Sequence, residues 1–128
     1  MNNKDMIDEI LITSGADPKR CMKCGKCSGA CPAYDEMEYH PHQFASMVTN
    51  GDIKPLLESE SFNKCLTCYA CSERCPRGVS PSRIIEAVRL LKIRQQGENH
   101  LTANDIPDLL DDKLPQQAIV SAMRKYSR

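Results

Sequence analysis

A chain of 128 residues has the length of one domain, and its 17 basic and 17 acidic residues cancel. That balance excludes the clear basic excess of a nucleic-acid footprint. Aromatic residues are only 5% of the chain and tryptophan is absent, so any core is modest and aliphatic. The outlying number is eight cysteines. In a reducing compartment such density reads as metal ligands or redox centres, and a secreted disulfide scaffold would scatter its cysteines instead.

The elements follow in chain order. Met6, Ile7, Ile10 and Leu11 recur at helical spacing among charged residues, which predicts an amphipathic helix over about residues 4–12 and not a signal peptide. Cysteines 21–31 follow Asp17-Pro18. Pro41 is placed to open a second helix carrying Phe44, Met47 and Val48, with Asn50-Gly51 to stop it. A short helix is expected over Pro55–Glu58, and a second group of cysteines follows. Ser80-Pro81 reads as an N-cap and a first-turn proline. The helix they open carries Ile84, Ile85, Val88, Leu91 and, less centrally, Leu90, with Gly97 at its end. A last helix is expected from Pro115 to about Tyr126, with Ile119, Val120, Met123 and Tyr126 on one side. No alternating strand is visible, so the expected fold is all-α. No apolar stretch is long enough to span a bilayer. The chain is therefore expected to be cytoplasmic, with no direct membrane insertion.

The cysteines fall in two copies of one pattern. CMKCGKCSGACP runs from Cys21 to Pro32 and CLTCYACSERCP from Cys65 to Pro76, both spaced C-x2-C-x2-C-x3-C-P. The copies are displaced by 44 residues, and Ser28 and Ser72 match as well. Every cysteine is used and none is left over.

This spacing is the bacterial run that holds two iron–sulfur clusters through cysteine thiolates. Three cysteines two residues apart can wrap three corners of one cubane. The fourth has moved past it and, in two-cluster proteins, ligates the other cluster. The expected assignment is crossed. Cys21, Cys24, Cys27 and Cys75 would hold one 4Fe–4S cluster, and Cys31, Cys65, Cys68 and Cys71 the second. Pro32 and Pro76 would turn the chain where the fourth thiolate must leave. Gly25, Ser28, Gly29, Ala30, Ala70 and Ser72 are small enough for backbone N–H groups to approach cluster sulfurs.

Basic residues surround both copies: Lys19, Arg20, Lys23 and Lys26 at the first, and Lys64, Arg74 and Arg77 at the second. They favour reduction of an anionic cluster or form a solvated surface. His40 and His42 read first as polar surface residues, with a ligand or proton-relay role as the alternative. Asp105, Asp108, Asp111 and Asp112 form an acidic patch read as a solvated linker. No phosphate loop, nucleophile–base pair or paired carboxylate frame is present, so no catalytic residue and no substrate site is expected in this chain. A zinc-stapled interaction module remains the reading of another class.

Two copies of the run also occur in small mixed α/β ferredoxins, but here the 33 residues between Cys31 and Cys65 read as helix. The chain resembles the α-helical ferredoxin family, which includes iron–sulfur subunits of succinate dehydrogenases, fumarate reductases and glycolate oxidases. Within it, RCMKCGKCSGACPAY, HPHQFASMVTNGD and NKCLTCYACSERCPRGV are most similar to the C subunit of CoB–CoM heterodisulfide reductase. The resemblance covers about residues 17–97. It implies an α-helical ferredoxin domain at 17–97 with two 4Fe–4S clusters; the amphipathic N-terminal helix at 1–16 and the C-terminal linker and helix at 98–128 fit a relay that docks between partners, or else pack on the chain's own core. It also implies a non-catalytic oxidoreductase subunit. Electrons would pass from a flavin-containing A subunit through two clusters to a catalytic B subunit that reduces CoM-S-S-CoB. A generic two-cluster ferredoxin, or the iron–sulfur subunit of another dehydrogenase or of a bacterial heterodisulfide-reductase-like complex, is the alternative.

Overall fold

The structure, a computed structural model, describes residues 2–94, 104, 108 and 111–126. The chain divides into two units, Met1–Arg94 and Gln95–Arg128. Among the described residues there is no strand, and the fold is all-α.

The first unit is built on three longer helices: α1 (Asn3–Ser14), α3 (Pro41–Asn50) and α7 (Pro81–Ile93). Between them run the short helices α2 (Lys26–Gly29), α4 (Ile53–Glu58), α5 (Ser61–Lys64) and α6 (Ala70–Arg74), with 3-10 turns at Pro18–Arg20 and Tyr34–Glu36. Helices of four to six residues do not hold themselves in water, so tertiary packing sets their conformation.

The apolar stripes meet in one core. Met6 and Ile10 of α1, Phe44, Ala45 and Val48 of α3, Ile53 and Leu56 of α4, Phe62 of α5 and Ile84, Ile85 and Val88 of α7 are all buried together. Burying each large aliphatic side chain contributes about 1.5–3 kcal/mol. α1 packs chiefly on α7, and Asn3 Nδ2 donates to the Gly51 carbonyl at 2.7 Å, fastening the chain's start to the end of α3.

Helix ends explain where expectation and structure part. α1 runs to Ser14 because Gly15 takes the left-handed conformation (φ 59°) and its N–H caps Leu11 O at 3.0 Å. α4 begins two residues before Pro55, since a proline in the first turn removes an N–H that has no helical partner there. α3 matches its expected bounds. Pro41 opens it, Gln43 Oε1 accepts from His40 N at 2.8 Å, and Gly51 (φ 89°) closes it. A side chain at Gly51 would be strained by that φ and would meet Asn3 and Ile7 within 4 Å.

Ser80 does not cap α7. Its backbone is left-handed (φ 56°) and its hydroxyl makes no capping bond. α7 ends at Ile93 rather than at the expected Gly97, which lies outside the described residues. Its buried side is Ile84, Ile85, Ala87 and Val88, with Leu91 packed partly against the core.

In the second unit a helix spans Gln116–Tyr126, after Pro115, whose carbonyl accepts from Ala118 N at 3.0 Å. Ile119 is half-buried and Val120 exposed; the side chains of Met123 and Tyr126 lie outside those described. Among the described residues no helix is long and apolar enough to cross a membrane.

Candidate metal centre: two cysteine-lined cavities

The two copies fold alike. In the first, Lys23 (φ 57°) and Gly25 (φ 75°) are left-handed; in the second, Thr67 (φ 57°) and Tyr69 (φ 62°) are. These residues occupy matching positions between the first three cysteines. Alternating left-handed residues curl each C-x2-C-x2-C loop so that its thiols converge. Glycine takes this conformation freely, but Lys23, Thr67 and Tyr69 each carry about 1–2 kcal/mol of strain. Such strain persists where the surroundings over-determine it, as functional sites do.

Each copy then enters a short helix, α2 or α6, carrying its third cysteine, Cys27 or Cys71, both buried. The helix stops and a tight turn follows the fourth cysteine. Tyr34 N donates to Cys31 O at 3.3 Å, and Gly78 N to Cys75 O at 3.4 Å. Pro32 and Pro76 thus sit second in a hydrogen-bonded turn, where a fixed φ is pre-set for the bend.

Two cavities result. One is lined by Cys21, Cys24, Cys27 and Cys75, with Met22, Gly25, His42, Ala45, Pro76 and Val79. The other is lined by Cys31, Cys65, Cys68 and Cys71, with Leu66, Tyr69, Met37, Ser82 and Ile85. Each therefore takes three cysteines from one copy and the fourth from the other. The voids are about 340 and 330 Å³, open mouths included. Cys24 and Cys68 are exposed, at matching positions. α2 packs against α6, which brings the helices of Cys27 and Cys71 together.

The polar surroundings suit sulfur ligands. Lys23 N donates to Cys21 Sγ and Val79 N to Cys75 Sγ, each at 3.4 Å. Burial pushes the Cys27 thiol up, against hydrogen bonds from Ser28, and charge on Cys71 and Cys21 adds to the rise. Burial also raises Cys71, opposed by Ser72 and with charge on Cys65 adding. Cys31 is raised by burial, eased by a hydrogen bond from the Ala33 backbone, with charge on Cys65 and Cys68 adding. Buried thiols resist ionisation until a cation is bound, and a bound metal deprotonates them. Among the described residues no three His, Cys, Asp or Glu gather around the point a lone metal ion occupies; the thiols stand around voids. Four sulfur donors around a void suit a multi-atom cluster, so the residues present are compatible with one 4Fe–4S group in each cavity.

Three contributors are not evident from sequence spacing. His42 is not a free surface residue: it lines the first cavity, and its Nδ1 hydrogen-bonds the Ser28 hydroxyl, which also accepts from His42 N at 3.2 Å. Burial, then charge on His40, holds the His42 imidazole below the usual histidine value. His40 stacks on Tyr34 with centroids 3.8 Å apart. Ser82 does for the second cavity what His42 does for the first, bonding Ser72. The available signal was the pair of helix-opening prolines, Pro41 and Pro81, each followed by one of these residues. Arg89 is the third. Its guanidinium bonds the Phe62 carbonyl, the Cys65 carbonyl at 3.0 Å and Glu86 at 2.8 Å, and so pins the start of the second copy. Its signal was a cation four residues after Ile85, on the helix side that faces inward.

Residues 17–79 match the family of 4Fe–4S dicluster domains. That stretch is similar to 4Fe–4S dicluster domains, and the chain's cofactors are two 4Fe–4S clusters. Curated proteins similar to it include C subunits of heterodisulfide reductases, the group its motifs resemble. It is 40% identical over 76 residues to the C subunit of the ferredoxin:CoB-CoM heterodisulfide reductase of Methanosarcina acetivorans, covering 59% of this chain and 30% of that protein. It is 35% identical over 97 residues to the C2 subunit of the H2/formate:CoB-CoM heterodisulfide,ferredoxin reductase of Methanococcus maripaludis, covering 70% and 52%. It is 30% identical over 90 residues to the C subunit of the H2:CoB-CoM heterodisulfide,ferredoxin reductase of Methanothermobacter thermautotrophicus, covering 70% and 47%. The chain spans about half or less of the length of these relatives.

Proposed function

We propose that this chain is the electron-relay subunit of a cytoplasmic heterodisulfide-reductase-like complex. Cys21, Cys24, Cys27 and Cys75 hold one cluster, and Cys31, Cys65, Cys68 and Cys71 hold the other. When bound, the clusters supply one-electron redox chemistry; the chain itself binds and insulates them and contributes no catalytic residue. A flavin-containing A subunit donates the electrons, and a catalytic B subunit receives them to reduce a heterodisulfide, CoM-S-S-CoB. The single observation that carries this reading is the exchange of the fourth cysteine between two like cavities. Crossed ligation makes cluster binding part of folding, because each cluster ties the two copies together. The names of the relatives support the choice of complex.

Metal analysis of anaerobically purified protein tests the relay. The expected content is about eight irons and eight sulfides per chain, two cubanes' worth. Two zincs without broad visible absorbance would overturn it in favour of the interaction module. Co-purification tests the complex: flavin-bearing and catalytic partners are expected in one stable assembly, whereas a chain recovered alone would favour a free ferredoxin.

A further inference from the structure

The cysteines account for the two cavities but not for their mouths, and the repeat lets one mouth serve as a control for the other. At the first mouth, Lys23 and Lys26 interleave with the lining residues Met22, Gly25 and Cys27, and Arg77 lines the cavity itself. The residues in matching register in the other copy are Thr67 and Ala70, beside the second mouth, and Ala33, which is buried in the core. Three cations on one side are thus neutral on the other.

The cations of the first mouth are exposed, as are Lys19 and Arg20 beside them, and no Asp or Glu occurs from Pro18 to Tyr34. Arg77 Nε donates to the Arg20 carbonyl at 3.2 Å, so a cation from the second copy is fastened to the rim of the first. Among the described residues the single ion pair is Glu86–Arg89, so no described carboxylate is ion-paired with the rim. Met22 stands within it, 55% exposed. Arginine and methionine are enriched at protein interfaces, and a field of one sign around a cleft steers an oppositely charged partner.

Compensation of cluster charge does not explain the rim. Both cavities are lined by four cysteines, yet the second mouth carries Leu66 (67% exposed) and Tyr69 (53% exposed), with the exposed cations Lys64 and Arg74 beside the exposed Glu73. A requirement set by the cofactor would apply to both.

We infer that the mouth of the first cavity is a docking site for an acidic surface on an electron-carrying partner protein, and that the second mouth is not. This rests on the relay reading above. The two are separable, because iron and sulfide counts report on the relay and a binding curve reports on the surface.

The test uses the anaerobically purified full chain and, as probe, a strongly acidic flavodoxin in its oxidised form, titrated by calorimetry at rising salt. Binding is expected to weaken several-fold as ionic strength increases. Lys23→Thr with Lys26→Ala copies the second mouth onto the first; it should weaken binding several-fold at low salt and flatten the salt response. Arg77→Ala should do the same to a smaller degree. Thr67→Lys with Ala70→Lys should create a second salt-sensitive site. Potentiometric titration of both clusters accompanies each variant, and because the flavodoxin is titrated against oxidised clusters, the loss of binding should be present whatever shift in potential the lost charge brings. Salt-insensitive binding, or binding indifferent to the Lys23 and Lys26 changes, overturns the proposal. So does a shifted cluster potential with unchanged binding, which would make the cations tuning groups. Tighter flavodoxin binding by Asp111→Asn with Asp112→Asn also overturns it, since the rim would then belong to the chain's own acidic segment.

Discussion

The two cavities share a skeleton and differ in what is hung on it. Both curl three cysteines with two left-handed residues, both end in a proline turn, and both are braced by a residue next to a helix-opening proline. Yet the first is lined by His42 and Ala45 where the second has Ser82 and Ile85. The first rim is cationic and the second largely neutral and apolar. The backbone and the thiols are set by the geometry of a shared kind of cofactor. The remaining positions are free to differ, and they give the two sites unequal surroundings. For a relay that inequality is useful, because hydrogen bonds, charge and exposure set the potential of each cluster.

The largest effect should come from breaking the exchange of ligands. Cys75→Ser should perturb the cluster of Cys21, Cys24 and Cys27, and Cys31→Ser the cluster of Cys65, Cys68 and Cys71. Electron paramagnetic resonance of the reduced variants distinguishes the two, and alteration of the opposite cluster would end the crossed assignment.

Ile85 and Ala45 come next, because they pair across the comparison on α7 and α3. Ile85→Ala should cost about 2–5 kcal/mol in denaturant unfolding, through a cavity beside the second site. Ala45→Ile, fully buried, should cost about 1–3 kcal/mol through overpacking beside the first.

Arg89 sharpens the asymmetry. Its removal leaves the Phe62 and Cys65 carbonyls without their cation, and Arg89→Ala should cost about 1.5–3 kcal/mol. The spectrum of the second cluster should change while that of the first does not. The matched hydroxyls have smaller effects. Ser28→Ala and Ser72→Ala should each cost about 1 kcal/mol in chemical unfolding. The first should also disturb His42, and the second Ser82.

The smallest expected effect is a pH dependence confined to the first site. The His42 imidazole is held below its unfolded value of 6.5 by burial and by His40. The unfolded chain therefore binds the proton more readily, so stability is present above 6.5 and is lost as pH falls through the folded value. His42→Ser, which copies Ser82, should flatten this part of the profile in thermal unfolding between about pH 7.5 and 5.5. An unchanged slope would show that the ring is not shielded as described.

Much of this was legible from the chain alone because it is local. Apolar spacing located α1, α3 and α7, and proline and glycine marked α3 to the residue. The repeat exposed the cysteine sets. The errors lie where long-range contacts decide: α4 starts early because its first turn is buried through Ile53, and Ser80 yields its hydroxyl to no cap. His42 and Arg89 could not be weighed from spacing, since their partners lie 14 and 24 residues away in sequence.

By itself the sequence determined the all-α class, the cofactor type and the repeated cysteine run, because helix periodicity and cluster spacing are properties of neighbouring residues. The tertiary structure decided which side chains line each void, how exposed each mouth is and which cations share a rim. Those are consequences of packing α2 against α6 and both motifs against α3 and α7. Packing brings together residues that are distant along the chain, and the spacing of neighbours does not specify such proximity.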